Sequence, residues 1–391
     1  MKQNCANKKI KDFCTILNGF AFKSQEYVES GIRVVRITNV QKGFVADDDP
    51  KFYPLNSEKS LSNYMLRKDD LLMSLTGNVG RVGILAENFL PAALNQRVAC
   101  LRIDESIVNK RYLFHILNSD KFERECIFNA TGIAQKNMST KWLGEYQIPV
   151  PPKDEQRRIV AELDLLTGII DKRRMQLKEL DTLAQSIFYD MFGDPTHNEK
   201  GWDVKKLGDM CTSVSYGTSS PSSSSGRYKY LRMNNITYDG YLDLTDLKYI
   251  DMDDAEFEKY VVKEGDVLFN RTNSMDLIGK TTYIHNMEPM IIAGYIIRVR
   301  LNGSVLPVFV AKFMNTPAMK KKLRSMAKGA VNQANINSKE LKSIDLVLPP
   351  IKLQQEFADK IQSIEKQKAA INQSIADTQK LLDYTMDKYF G

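Results

Sequence analysis

Three histidines, scattered carboxylates and one glycine–lysine–threonine run are the residues of this 391-residue chain that could do covalent chemistry. Gly279-Lys280-Thr281 has the ending of a phosphate-binding loop, whose backbone N–H groups and lysine would cradle a nucleotide. That loop needs a glycine five residues before its second one, and Ser274 stands there. His115, His197 and His285 lie far apart and form no H-E-x-x-H pair, so no metal site is expected. No G-x-S-x-G nucleophile elbow occurs. Asp203-Val-Lys205 has the spacing of a nuclease carboxylate–lysine pair, but such triplets arise readily in a charged chain. The Asn-Pro-Pro-aromatic segment of an adenine methyltransferase is missing, for the double prolines follow Val150 and Leu348. The expectation is therefore no catalytic residue, no metal and no cofactor held by this chain.

What remains is binding chemistry. Polar loops occur at matched places in the two halves: Thr76-Gly-Asn78-Val-Gly-Arg81 against Arg271-Thr-Asn273, and Gly132-Ile-Ala-Gln135-Lys136-Asn137 against Gly329-Ala-Val-Asn332-Gln333-Ala-Asn335. Arginine and lysine suit guanine edges, and asparagine and glutamine suit adenine edges, because each offers paired hydrogen bonds. Glycines let the backbone approach phosphates closely. A Ser/Gly-rich stretch from Ser215 to Arg227 reads as a mobile loop. Arg36, Gln96, Arg97, Arg227, Arg232 and Asn270 complete the candidate nucleic-acid contacts. For any one of these residues a solvated loop is an equally good reading; the matched sets favour contact.

These loops must be positioned by a framework, and the framework is duplicated. Lys9-Ile-Lys-Asp-Phe-Cys-Thr15 returns as Lys206-Leu-Gly-Asp-Met-Cys-Thr212, and Arg36-Ile-Thr-Asn39-Val40 as Arg232-Met-Asn-Asn235-Ile236. Asp70-Leu-Leu-Met returns as Asp266-Val-Leu-Phe; Gly83 falls on Gly279, Gly132 on Gly329, Pro151-Pro152 on Pro349-Pro350, Gln156 on Gln354 and Phe192-Gly193 on Phe390-Gly391. Gly279 is then a turn glycine rather than part of a nucleotide site. Short apolar runs predict strands at 32–40, 71–75, 98–103, 228–233, 267–270 and 291–301, and single helices at 111–127 and 309–327. Each Pro-Pro stops a domain, since proline pushes its predecessor out of helical geometry.

Beyond each Pro-Pro the pattern changes to alternating steps of four and three, the seam of a coiled coil. The first seam carries Ile159, Leu163, Leu166, Ile170, Leu177, Leu180 and Ile187, with a break at Arg173; the second carries Phe357, Ile361, Ile364, Ile371, Ile375 and Leu382. Each helix could run roughly 35 residues, about 50 Å. Such stripes must be covered, most simply by each other, alternatively by each helix's own domain. The expected architecture is α+β. Two similar mixed domains, 1–152 and 194–351, are joined by helices 153–193 and 352–391 that form an antiparallel coiled coil with pseudo-twofold symmetry.

Net charge is +7, and residues 153–191 and 352–391 together sum to −1, so the excess lies in the domains. That is the distribution expected if domains touch phosphates and helices set distance. Residues 251–258 are acidic, so the second domain is not uniformly basic. Cys5, Cys14, Cys100, Cys126 and Cys211 are scattered and odd in number, which points to a reducing cytoplasm. No run approaches the ~18 to 20 apolar residues of a membrane span, and no secretion signal is visible at the N-terminus.

The Pro-Pro followed by Glu155-Gln156 and a long helix, Tyr189-Asp-Met-Phe192-Gly193-Asp194-Pro195 before Gly201-Trp202, Gly217-Thr-Ser-Ser-Pro before Arg232-Met-Asn-Asn-Ile236, and the closing Lys-Tyr-Phe-Gly are short motifs whose order is specific. In this arrangement, over essentially the whole chain, the sequence resembles the specificity subunits of type I restriction–modification systems. Lys352-Leu-Gln354-Gln355 departs from the first copy's Asp154-Glu-Gln156-Arg157. The resemblance implies two target-recognition domains reading a bipartite site on double-stranded DNA, with antiparallel helices as the ruler between half-sites. A helix of about 50 Å spans roughly 15 base pairs. It further implies two methyltransferase subunits carrying S-adenosylmethionine, and restriction subunits using ATP and Mg. A stand-alone DNA-modifying enzyme and a coiled-coil protein scaffold are the competing readings.

Overall fold

In the computed structural model residues 6–132, 136–330 and 333–391 are described. The chain divides into two units: residues 1–174 with 373–391, and residues 175–372. The helices are α1 (Lys110–Leu117), α2 (Asp120–Asn129), α3 (Thr140–Glu145), α4 (Lys153–Phe192), α5 (Asp254–Tyr260), α6 (Pro307–Met314), α7 (Pro317–Met326), α8 (Ser338–Lys342) and α9 (Ile351–Phe390).

Both units are built on the same sheets. In unit 1 a four-stranded antiparallel sheet runs in the order Cys14–Asn18, Val98–Ile103, Leu71–Ser74, Val82–Ile84; in unit 2 it runs Cys211–Tyr216, Ile296–Leu301, Val267–Asn270, Thr281–Tyr283. A three-stranded sheet accompanies each, Phe52–Tyr53, Ile32–Val35, Ala92–Leu94 in one and Lys248–Ile250, Tyr228–Leu231, Ile291–Ile292 in the other. A two-stranded ribbon closes each domain, Ala6–Lys9 on Gln147–Val150 and Asp203–Lys206 on Asp345–Leu348. The prolines at 151–152 and 349–350 follow directly, and a long helix starts at once.

Several expected elements are shorter or broken. Each single short helix is a pair, α1–α2 and α6–α7, because Ser119 and Thr316 cap a new helix with their hydroxyls. The run at 291–301 is interrupted after Ile292. The glycine pairing is also corrected. Gly80 and Gly279, not Gly83 and Gly279, hold the same place: their N–H groups donate to Ser74 (2.9 Å) and Asn270 (3.2 Å), and both adopt left-handed φ of +81° and +75°. A Cβ on Gly80 would meet Cys126, and one on Gly279 would meet Leu323, at matching places in α2 and α7. The loop before Gly279 is three residues longer than the one before Gly80, which is why a constant shift in sequence misaligned them.

Domain and helix are fastened by a buried glutamine in each unit. Gln156 accepts from the Asn109 N–H (2.7 Å) and donates to the carbonyls of Pro151 (2.9 Å) and Ile107 (3.2 Å). Gln354 accepts from the Leu306 N–H (2.8 Å) and donates to the carbonyl of Pro349 (2.8 Å). A buried amide that satisfies loop backbone groups fixes the helix start relative to the domain.

The seam does two jobs. Ile159 and Leu163 pack into the core of unit 1 beside Leu71, Tyr112 and Phe390, while Leu382 lies against it. Phe357, Ile361 and Ile364 belong to the core of unit 2, with Leu180 and Ile187 against it. Leu166 and Ile170 are buried; Leu177, Ile371 and Ile375 are half-buried. Both coverings considered for the stripe therefore operate together, and this widens the apolar face beyond a two-helix seam. Near the end of α4 the fully buried positions are Phe188 and Phe192, the first of them one residue on from the expected Ile187. Within unit 2, Phe188 and Phe192 pack on Phe357 (ring centroids 5.7 and 5.1 Å), and Lys368 Nζ donates to Asp181 (2.7 Å). Moving up α4 from Asp181 to Phe188 means moving down α9 from Lys368 to Phe357, so the helices run antiparallel there. Each helix is 40 residues long, about 60 Å.

Candidate nucleic-acid interface

In each unit the antiparallel order of the central sheet brings four loops to one end. In unit 1, Asn18 pairs with Ala99 and Ser74 with Val98, so the ends of these strands are adjacent. The Leu75 N–H donates to the Arg97 carbonyl (2.9 Å), the Gln96 N–H to Phe20 (3.0 Å), the Gly77 N–H to Lys136 (2.9 Å) and the Met138 N–H to Leu75 (2.8 Å). The loops after Asn18, after Ser74, before Val98 and before Met138 thus form one surface. Gly19 is needed for this: a Cβ there would lie 2.2 Å from the Asn95 carbonyl carbon.

Unit 2 repeats the construction. The Arg271 N–H donates to the Tyr295 carbonyl (3.0 Å), the Ile336 N–H to Arg271 (2.9 Å) and the Thr218 N–H to Ile292 (2.9 Å). Gly217 stands where Gly19 does, with a Cβ 2.1 Å from the Ile292 oxygen. Here Thr272–Asn273, Gln333–Asn335 and Lys328–Ala330 form a small three-stranded sheet, where unit 1 has isolated bridges of Asn137 to Thr76 and Thr131.

The structure gathers some expected contacts and removes others. Asn78, Gln96, Arg97, Lys136 and Asn137 are exposed on the unit 1 face. Arg81 is half-buried and donates to Gln41 (2.6 Å). Arg271, Asn273 and Asn335 are half-buried, and Gln333 exposed, on the unit 2 face. Asn270 is corrected: it is 0% exposed in mid-sheet and accepts from the Asn273 amide (3.3 Å), so it cannot meet a ligand as the unit stands. Arg36 and Arg232 have in-domain work. Arg36 pairs with Asp49 (3.2 Å) and Arg232 with Asp246 (2.7 Å), while Asn39 and Asn235 accept from the same arginines' N–H groups (2.9 Å each). The repeated Arg-x-x-Asn motif is thus a loop clasp. Arg227 stands at the far end of the long loop after Tyr216, paired with Asp254 (3.1 Å) and over the Tyr228 ring. Gln135 and Asn332 lie outside the described residues.

Two aromatic residues on this face escaped the search for polar types. Tyr295, 54% exposed, takes the place of Arg97, and Tyr216, at the end of its strand, takes that of Asn18. Comparing the two copies position by position would have found them.

The residues considered for chemistry are placed elsewhere. Lys280 is buried and donates to the Met233 carbonyl (2.7 Å). Asp203 and Lys205 sit on an exposed edge ribbon. His115 is buried against Asp164 (2.7 Å), whereas His197 and His285 lie beside Asp194 and Glu264. Among the described residues no cluster of His, Cys, Asp or Glu could hold a metal, and no helix is long and apolar enough to cross a membrane. Cys14, Cys100, Cys126 and Cys211 are free thiols, and burial pushes the first three well up, Cys14 and Cys126 to about 12.

Known proteins share this framework. The chain is 23% identical over 405 residues to the Type I restriction enzyme EcoKI specificity subunit of Escherichia coli (strain K12), covering 96% of this chain and 86% of that one. It is 25% identical over 413 residues to the EcoBI specificity subunit of Escherichia coli, covering 96% and 83%. A crystal structure of the type I restriction–modification S subunit from M. genitalium has the same fold, with a TM-score of 0.57 at 13% identity over 100% of this chain and 97% of that one. The family model described as "Type I restriction modification DNA specificity domain" matches twice, over residues 2–180 and 199–378. With both halves matched in this way, the chain belongs to the type I restriction modification DNA specificity family.

Proposed function

We propose that this chain is the DNA-reading subunit of a type I restriction–modification complex and that each unit reads one half of a bipartite site on double-stranded DNA. The observation that carries this is the four-loop face, built twice on one framework but presenting different side chains. A repeated holder with unlike readers suits two unlike half-sites. Glycine-permitted loop packing and exposed Arg97, Lys136, Gln96 and Asn78 in unit 1 supply phosphate and base-edge donors, and Asn273, Gln333 and Tyr295 supply them in unit 2. The long helices act as the ruler between half-sites. Methyl transfer and cleavage belong to partners: two methyltransferase subunits with S-adenosylmethionine, and restriction subunits with ATP and Mg.

The test is modular exchange. Replacing residues 1–152 by the matching domain of a relative is expected to change one half of the methylated motif in host DNA; a change in both halves, or in neither, overturns the reading. Methyl transfer by the purified chain alone with S-adenosylmethionine would favour the stand-alone enzyme. Absence of binding to any bipartite duplex would favour a protein scaffold, whereas salt-sensitive binding that is lost on replacement of Arg97 and Lys136 would exclude it.

A further inference from the structure

The faces of the two units differ at the residue that follows the strands Leu71–Ser74 and Val267–Asn270. In unit 1 it is Leu75, 6% exposed. In unit 2 it is Arg271, whose backbone makes the same two hydrogen bonds to the neighbouring loops. An arginine in a leucine's place needs a reason to be there, and its surroundings supply one.

Arg271 is held on two sides. Its guanidinium carbon lies 4.8 Å from the centre of the Tyr216 ring. That ring is itself fixed, because the Tyr216 hydroxyl donates to Ser338 Oγ (3.0 Å) and accepts from the Ser338 N–H (2.9 Å) at the start of α8. On the other side Arg271 Nη2 donates to Asn335 Oδ1 (3.2 Å), and Asn335 is oriented by its own donation to Thr272 Oγ1 (2.8 Å). No carboxylate pairs with Arg271 among the described residues, unlike Arg36, Arg227 and Arg232. Its Nε is buried without a partner, whereas Nη1 has no hydrogen bond and is not among the buried unpaired atoms. A guanidinium stacked on one face, anchored through one nitrogen and open at its end is organised in advance for a planar pair of acceptors.

Resting on the DNA-reading function above, we propose that Arg271 is a specificity-determining residue of unit 2 that reads one guanine through O6 and N7, with Tyr216 and Asn335 as its positioning residues. Major-groove guanine offers the two adjacent acceptors that match the free end of the fork. A phosphate would also accept, but contact with phosphate carries no base preference. Unit 1 has no donor at the matching place and presents Arg97 from a different loop, opposite Tyr295. A guanine read by unit 1 therefore falls at a different position in its half-site.

The experiment uses the assembled wild-type complex and duplexes of its mapped motif. Each guanine of the half-site that follows residues 194–351 is replaced in turn by 7-deazaguanine, which removes only the N7 acceptor. Binding is expected to weaken about tenfold at one guanine and little at the others, and R271Q should bind modified and unmodified duplexes alike. In the host, R271Q should relax that single position while the other half-site stays unchanged. N335A keeps the arginine, should still assemble, and should relax the same position less; a merely structural role would lower methylation without changing base preference. A half-site without guanine, equal tolerance of every 7-deaza substitution, or unchanged preference in R271Q and N335A would overturn the proposal. Failure of the underlying function looks different: the wild-type complex would show no bipartite sequence preference at all.

Discussion

The loop that reaches toward the long helices is built differently in the two units. In unit 2 the turn after Ile236 carries Tyr241, whose hydroxyl donates to Asp181 (2.9 Å) and accepts from Lys312 (3.0 Å); Lys368 and Lys312 lie 3.5 and 4.5 Å from its ring centre. Burial pushes the Lys312 ammonium below the usual lysine range. In unit 1 the turn is one residue shorter, and Phe44, in place of Tyr241, is 58% exposed. A cleft of about 540 Å³ opens at this junction, bordered by Gly43, His115, Thr167, Leu382 and Met386. The difference shows what one hydroxyl can do. A phenol can bridge a carboxylate and an ammonium out of water, whereas a phenyl ring there would leave Asp181 to Lys368 alone (2.7 Å) and Lys312 to Glu365 (3.7 Å). Unit 1 settles its charge otherwise: burial raises Asp164, but hydrogen bonds from His115 and Arg111 outweigh it and hold the carboxyl at about 2.

Five substitutions would break or sharpen this comparison. Y241A should cost unit 2 the most, about 3 kcal/mol, since it removes a large half-buried ring and takes its bridging hydroxyl from Asp181 and Lys312. Chemical denaturation of the full chain measures it, and a loss below about 1 kcal/mol would mean that the network is incidental. Q156A and Q354A should each cost about 2 kcal/mol, because buried N–H and C=O groups lose their partner. Here the units should agree, and a neutral result in either would separate them.

A smaller effect is pH-dependent. Burial lowers Lys320 to about 7, with its ammonium on the Tyr238 carbonyl (3.0 Å), whereas the matching position in unit 1 is Glu123, paired with Lys42 (2.7 Å). A lysine whose folded pKa is depressed leaves the unfolded chain binding more protons between about 7 and 10.5. Stability should then rise with pH from 7 to 9, by at most about 1.4 kcal/mol per unit. K320M should flatten that rise, and an unchanged slope would assign it to other groups. F44A should change stability least, within about 0.5 kcal/mol, as expected of an exposed side chain. A cost as large as that of Y241A would show that Phe44 is seated after all.

Much of the framework was legible because its signals are local. The Pro-Pro stops, the four-and-three stripe and the returns of Asp-Leu-Leu-Met and Gln-at-156 each follow from backbone restriction or periodic burial within one segment. The candidate faces were legible only in part. The loops around Asn78 and Asn335 were found because polar residues stood near glycines in both copies. Arg36 and Arg232 also repeat because each clasps a carboxylate, Asp49 and Asp246, a partner that sequence separation hides. Tyr216 and Tyr295 carried no polar signal and stand out only when the two copies are compared position by position.

By itself the sequence determined the duplication, the change from sheet domain to long helix, and the class of chemistry, because each depends on residue type and spacing. The tertiary structure alone decided which side chains are available. Asn270 is sealed in a sheet while Asn273, three residues on, reaches the surface; Phe188 is buried although the two-helix pattern favours Ile187. Burial is set by what packs across from a residue, and those neighbours come from segments tens to hundreds of residues away.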